Sequence, residues 1–217
     1  MFPGAHLDSI GDKPALIMGG LGFTQTYAEL DAAANRLSRL LRSAGLQPGD
    51  HIAICMENHD RYMEIIWGCH YAGLVYTAAS SRLQSAELEY IINDCGARAY
   101  ITSKHKADQA AEIVAATPDV ELRLMLDGTI EGYESYEAAV EAQSPEPLAE
   151  ERIAGLDMLY SSGTTGMPKG ISREFPNEPL EGFNNGVSML AGLLFGVDET
   201  KRYLSPAPFY HAAPLRF

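Results

Sequence analysis

Cationic side chains are scarce in this chain. Lys and Arg total 16 against 29 Asp and Glu, for a formal net charge of −13. A surface that acidic repels nucleic acid and anionic membranes, so neither is an expected partner. An anionic ligand would have to be met by a local basic group. Cysteine is nearly absent too. Cys55, Cys69 and Cys95 are odd in number and widely spaced, which suits neither a disulfide framework nor a zinc site. Reduced, buried thiols in a cytoplasmic protein are expected instead. No apolar run reaches the roughly 18 residues of a membrane span. The opening MFPGAHLDSIGDKP lacks the basic and apolar regions of a signal peptide, so none is expected. Internal repeats are missing, and so are the two commonest nucleotide signatures. Five residues after Gly163 stands Pro168, where a Walker A loop needs glycine, and G-x-G-x-x-G does not occur.

What is present suits a globular protein of one or two domains. Hydrophobic residues make up 46% and charged residues 21%. Strand and helix patterns alternate. Strands are expected at Pro14–Met18, His51–Met56, Leu74–Thr77, Ala99–Thr102 and Glu121–Leu126. Helices are expected at 26–44, from an Asp60 cap to about Tyr71, from a Ser85 cap to Gly96, and at 107–116. Thr26 and Glu29 form a capping box, and Gly45 stands where a helix should stop. Trp67 is expected to pack in the core. Strands separated by helices of ten or more residues predict a parallel sheet with helices on its faces, an α/β fold with right-handed crossovers. From Glu131 to Arg152 seven glutamates surround two prolines, so a short helix at 135–142 and a solvated linker are expected. The division this suggests is an N-terminal α/β subdomain, 1–150, and the start of a second, 151–217. In the latter a strand at Asp157–Ser161, an irregular excursion at 172–183, a helix at 185–195 and a strand at Arg202–Ser205 are expected.

The densest chemistry lies in MLYSSGTTGMPKGI, Met158–Ile171. Ser161, Ser162, Gly163, Thr164, Thr165 and Gly166 carry hydroxyls or no side chain, and Lys169 follows Met167 and Pro168. Glycines let the backbone approach a ligand closely. Successive N–H groups can cradle an anion, and an ammonium adds a point charge. The set suits a polyphosphate. By composition alone a flexible surface loop is the better reading.

As an ordered string, YSSGTTGMPKG resembles the phosphate-loop signature of the adenylate-forming superfamily, which includes acyl-CoA and aryl-CoA synthetases, luciferases and peptide-synthetase adenylation domains. TYAELDAAANRLSRLLRSAGLQPGDHIAI and GCHYAGLVYTAASSRLQSAELEYIINDCGARAYIT resemble early scaffold segments of the same group. SPAPFYHAAPLRF resembles its aromatic–His segment. The resemblance covers the whole chain in order and implies the large N-terminal α/β domain of a ligase similar to acyl-CoA synthetases.

That resemblance implies a reaction. A carboxylic acid, expected to be a fatty or other hydrophobic acid, attacks the α-phosphorus of ATP to give acyl-AMP and pyrophosphate. CoA then displaces AMP. Lys169, with the Ser161–Gly166 backbone and hydroxyls, would stabilise the departing phosphates, and Thr164 and Thr165 are the expected hydroxyl donors. Phe209, Tyr210 and His211 would line the acid pocket. Mg²⁺ should bridge the phosphates, but no metal-ligand cluster is evident. The family's later Tyr-Gly-x-Thr-Glu segment, ribose-binding Asp and C-terminal lysine are not in this sequence. The expectation is therefore an N-terminal part of such an enzyme, inactive alone and needing the C-terminal part as partner. Three alternatives remain open: a truncated, non-catalytic module binding nucleotide or acid, a different phosphoryl-transfer enzyme, and a purely structural interaction module.

Overall fold

The computed structural model describes residues 2–161, 167–175, 177–182, 186–198 and 200–216, with backbone alone for 187 and 188. After a 3-10 turn at Pro3–His6 come α1 (Leu7–Ile10), β1 (Pro14–Met18), β2 (Phe23–Thr26), α2 (Tyr27–Ser43), β3 (His51–Cys55), α3 (Tyr62–Ala72), β4 (Val75–Ala78) and α4 (Ser85–Asp94). These are followed by β5 (Ala97–Ser103), α5 (Ala107–Ile113), β6 (Leu122–Leu126), β7 (Glu134–Ser135) and α6 (Tyr136–Glu141). The last part holds β8 (Leu156–Asp157), β9 (Leu159–Ser161), β10 (Lys169–Ile171), α7 (Gly186–Phe195) and α8 (Ala212–Arg216).

The expected parallel sheet is there, six strands in the order β7-β6-β5-β3-β4-β8. Period-two alternation sends neighbours to opposite faces. Ile52 and Ile54 of β3 join Leu37, Leu41, Ile65 and Tyr136 under α2, α3 and α6. Ala53 and Cys55 join Leu88, Ile92, Ala110 and Ile113 under α4 and α5. β4 lies on one side of β3 and β5 on the other, so the strand order reverses at β3. In open α/β sheets the crevice beyond the strands' carboxyl ends at such a reversal is where ligands bind.

Local signals held where they were self-contained. Thr26 and Glu29 make both capping-box bonds, Glu29 N–H to Thr26 Oγ1 at 3.2 Å and Thr26 N–H to Glu29 Oε2 at 2.8 Å. Gly45 and Gly73 end their helices at φ +91° and +75°. All three cysteines are free and buried. Trp67 is half-buried, packed beside Ala34, Tyr71 and Leu180.

Four expectations need correction. Asp60 does not cap α3, because its carboxylate lies 2.8 Å from His59 Nδ1, and Arg61 occupies the N-cap position without a side-chain capping bond. Ser85 does not cap α4, because its hydroxyl donates to Glu112. Gln84 caps instead, in a box with Glu87. The single strand expected at Asp157–Ser161 divides at Met158 into β8 and β9, which belong to different sheets. Arg202–Ser205 forms no strand: Tyr203 and Leu204 are exposed, and the segment has no ladder partner among the described residues.

The acidic linker is strapped down rather than free. Arg36, Arg39 and Arg42, three residues apart on α2, reach it in turn. Arg36 donates to the carbonyls of Glu141 and Gln143, Arg39 to those of Glu146 and Pro147, and Arg42 pairs with Glu150 at 2.9 Å. Most acceptors are backbone carbonyls, so no pattern of acidic side chains foretold the strap.

Candidate functional site

β9 and β10 form an antiparallel hairpin with Ser161 opposite Lys169, Tyr160 opposite Gly170 and Leu159 opposite Ile171. The return strand was not expected. It places Lys169 at the base of the loop, exposed and across the ladder from Ser161, whose hydroxyl lies 3.5 Å from the Lys169 carbonyl. Ser162, Gly163, Thr164, Thr165 and Gly166 lie outside the described residues. Met167 is exposed and Pro168 half-buried.

The hairpin is anchored from below. A Cβ on Gly170 would run into the end of the Met158 side chain and sit 3.0 Å from the Tyr160 ring, so glycine lets the two strands pack without shifting either side chain. Tyr160 donates its hydroxyl to Asp94 Oδ2 at 2.5 Å, and burial beside that carboxylate pushes the phenol's pKa up. Just before the hairpin, Asp157 on β8 is 6% exposed and accepts from Arg173 Nη2 at 2.7 Å and Arg216 Nη2 at 2.6 Å.

The aromatic–His segment reaches the carboxyl end of β3. Phe209 N–H donates to Asn58 Oδ1 at 2.8 Å, and Asn58 Nδ2 donates to the Ala207 carbonyl at 3.4 Å. Phe209 is buried, its ring 5.3 Å from that of Tyr62. Tyr210 is half-buried and His211 exposed, their ring centroids 4.4 Å apart. Next door, at the reversal point, Ser103 at the end of β5 donates to Glu57 Oε2 at 2.7 Å. The segment thus sits where the topology favours a ligand. A hollow of about 330 Å³ is found elsewhere, lined by Gly4, Asp31, Pro145, Pro147 and Arg152. Among the described residues no group of three His, Cys, Asp or Glu side chains could hold a metal.

Sequence reasoning missed Asn58, which contacts the segment about 150 residues later and leaves no local trace. It also missed Asp157, although an acid in the apolar run AGLDML is itself a signal.

Beside Asp157 lies His70, half-buried, with Nε2 3.1 Å from the Tyr76 hydroxyl. Burial pushes its pKa down from 6.5 to about 4, against the opposing pull of Asp157. In the unfolded chain it titrates near 6.5. Between those values the unfolded state binds the extra proton. The neutral ring's contribution is therefore complete above about pH 6.5 and is lost as pH falls towards 4, on the order of a few kcal/mol. In urea titrations from pH 7.5 to 4.5, His70→Gln should flatten this part of the stability profile. A slope equal to that of the parent would refute the assignment.

The sequence model of the AMP-binding enzyme family matches residues 6–217. A feruloyl-CoA synthase of Amycolatopsis sp is 33% identical over 198 residues, 89% of this chain and 36% of that one. A fatty acid–[acyl-carrier-protein] ligase, ScoC, of Streptomyces coeruleorubidus is 31% identical over 76% of this chain and 31% of its own length. The chain thus spans about a third of the length of these curated relatives. Among solved structures, apo MbtA of Mycobacterium smegmatis aligns with a TM-score of 0.80 at 27% identity, over 96% of this chain and 38% of that one. The N-terminal domain of FACL13 from Mycobacterium tuberculosis aligns with a TM-score of 0.72 at 24% identity, a likeness of fold, over 91% of this chain and 48% of that one.

Proposed function

Because this chain belongs to the AMP-binding enzyme family, as an N-terminal portion resembling acyl-CoA synthetases, we propose that it forms part of an ATP-dependent acid–thiol ligase. The observation that carries this reading is the hairpin of β9 and β10, which sets Lys169 opposite Ser161 at the base of the SSGTTG loop. A carboxylate is a weak electrophile, because its charge is shared between two oxygens. Transfer to the α-phosphorus of ATP converts it to a mixed anhydride and expels pyrophosphate. A thiol, proposed to be that of CoA, then takes the acyl group and releases AMP.

In this reading Ser161, Ser162, Gly163, Thr164, Thr165 and Gly166 cradle the phosphates. Lys169, Thr164 and Thr165 bear on the charge that grows on the departing pyrophosphate, where fixed donors lower the barrier. The closeness of Gly170 to Met158 and Tyr160 holds the cradle's return strand against its base. Phe209, Tyr210 and His211 shape the acid's pocket, and the acid is a fatty or other hydrophobic one. Mg²⁺ is proposed to arrive on the ATP phosphates. Among the described residues no cluster of His, Cys, Asp or Glu side chains fits it. We also propose the division into 1–150 and 151–217, although the first sheet borrows β8 from beyond that line, and a cytoplasmic setting that keeps the thiols reduced. No helix among the described residues is long and apolar enough to cross a membrane.

The proposed partner is the polypeptide that corresponds to the rest of such an enzyme. Met189, Leu193, Leu194 and Phe195 of α7 are more than 60% exposed, an apolar face that asks for cover. The test is pyrophosphate release from ATP and a medium-chain fatty acid. The 217-residue chain by itself should bind ATP without releasing pyrophosphate, and release should appear once the rest of a ligase of this family is joined to it. Release by the chain alone would overturn the division of labour. Binding that never becomes turnover, even when joined, would favour the non-catalytic module.

A further inference from the structure

We propose that Asp157 is a positioning residue that locks the phosphate-loop hairpin and the aromatic–His segment to one point on the sheet. The inference rests on the functional reading above only for what those two segments bind. Asp157 lies on β8, the edge strand of the six-stranded sheet, paired in parallel register with Tyr76. Its two carboxylate oxygens are shared between two arginines from different segments. Arg173, two residues beyond β10, donates to Oδ1 at 2.7 Å and to the Asp157 carbonyl at 3.2 Å. Arg216, at the end of α8 and five residues beyond His211, donates through Nη2 to Oδ2 at 2.6 Å and through Nε to Oδ1 at 3.2 Å.

The physical case rests on burial and charge. A carboxylate that is 6% exposed must be paired, because an isolated buried charge is strongly unfavourable. His70 cannot supply the countercharge, since burial keeps its ring neutral at pH 7. The pairing therefore falls to Arg173 and Arg216, and each draws its own segment to the same place. Arg98 shows the opposite arrangement, one arginine shared by Asp50 and Glu121 at a more exposed site. Two arginines thus converge on one acid. The cluster lies beyond the Leu159–Ile171 end of the hairpin ladder, where the chain enters β9 and leaves β10.

The experiment is hydrogen–deuterium exchange on the 217-residue chain, together with calorimetric titration of Mg-ATP. Asp157→Asn should speed exchange about tenfold or more in both 169–173 and 212–216, with β3 and β5 unchanged. Arg173→Gln should loosen only the first segment, and Arg216→Gln only the second. Both arginines are partly exposed, so these variants remain readable even if Asp157→Asn does not fold. Asp157→Glu should restore most of the protection. ATP affinity adds a readout that plain destabilisation of the core would not mimic. Removing the carboxylate's negative charge would tighten ATP binding if charge alone mattered, whereas loss of position should weaken it about fivefold or more. Unchanged exchange in both segments, faster exchange spread evenly over the sheet, or tighter ATP binding by Asp157→Asn would each overturn the proposal. If the parent chain does not bind ATP, the functional reading fails, while the exchange data still decide whether Asp157 ties the two segments.

Discussion

Lys169→Ala is expected to weaken Mg-ATP binding to this chain by roughly ten- to a hundredfold. A charge-assisted hydrogen bond contributes about 1.5–3 kcal/mol, and each 1.4 kcal/mol is a factor of ten in Kd. The effect should lie towards the upper end because the chain as a whole repels the ligand. With 16 basic against 29 acidic side chains, ATP meets a field of its own sign except where a cation is placed for it. Exposed charges beyond about 8 Å are largely screened at physiological salt, so the nearest ammonium counts most. Lys169 stands at the mouth of the hairpin, opposite Ser161. Lys104→Ala is the control, since that ammonium donates to the Thr129 carbonyl at 3.0 Å. Its affinity should match the parent's. Raising the salt should reduce the difference between parent and Lys169→Ala. Equal ATP affinities for the two would remove Lys169 from the site.

Gly155→Ala is expected to lower the free energy of unfolding by about 1–3 kcal/mol, the range for forcing an extra methyl into a packed interior. The added Cβ would stand 2.5 Å from the Leu74 carbonyl oxygen, 2.8 Å from that of Cys69 and 2.9 Å from His70 Cα. All three are backbone atoms, so no side chain can rotate aside. The end of α3 and the start of β4 must part from the strand entering β8. Two bonds sit at this junction and would stretch with it, Gly155 N–H to the His70 carbonyl at 3.0 Å and Leu156 N–H to that of Leu74 at 3.1 Å. For a domain of this size about 2–4 °C of melting temperature is lost per kcal/mol. Gly182→Ala provides the contrast. Its Cβ would meet nothing within 4 Å, so the change should stay within about 0.5 kcal/mol. Matching urea midpoints for the two variants would show that the junction relaxes freely. Because Asp157 follows two residues later, Gly155→Ala should also disturb the hairpin, which makes the stability measurement informative about the site.

Several features were legible without coordinates because they are local. The apolar run HIAIC between turn residues needs only five consecutive residues, and α2 carries its own start and stop in Thr26, Glu29 and Gly45. β2 was missed because FTQT is too polar to read as a strand, and it is held by pairing with β1. β10 was missed for a related reason. Three residues, KGI, form a strand only because Leu159–Ser161 lies alongside them. The strand expected at Arg202–Ser205 failed in the opposite sense. Its residues suit a strand, but a strand without a ladder partner has nowhere to place its backbone groups.

The sequence by itself determined the α/β class, the parallel order of layers and the family resemblance carried by YSSGTTGMPKG, since each is written in neighbouring residues. Only the tertiary structure decided what stands beside what. It placed three arginines of α2 on the carbonyls of 141–147 and the carboxylate of Glu150, Asn58 on the backbone at 207–209, and Arg173 with Arg216 on one buried acid. These contacts join residues 16 to 151 positions apart, and the chain carries no period that would announce them. They form because folding leaves a buried donor, acceptor or charge in need of a partner, and the partner is whichever group the packed layers bring within reach.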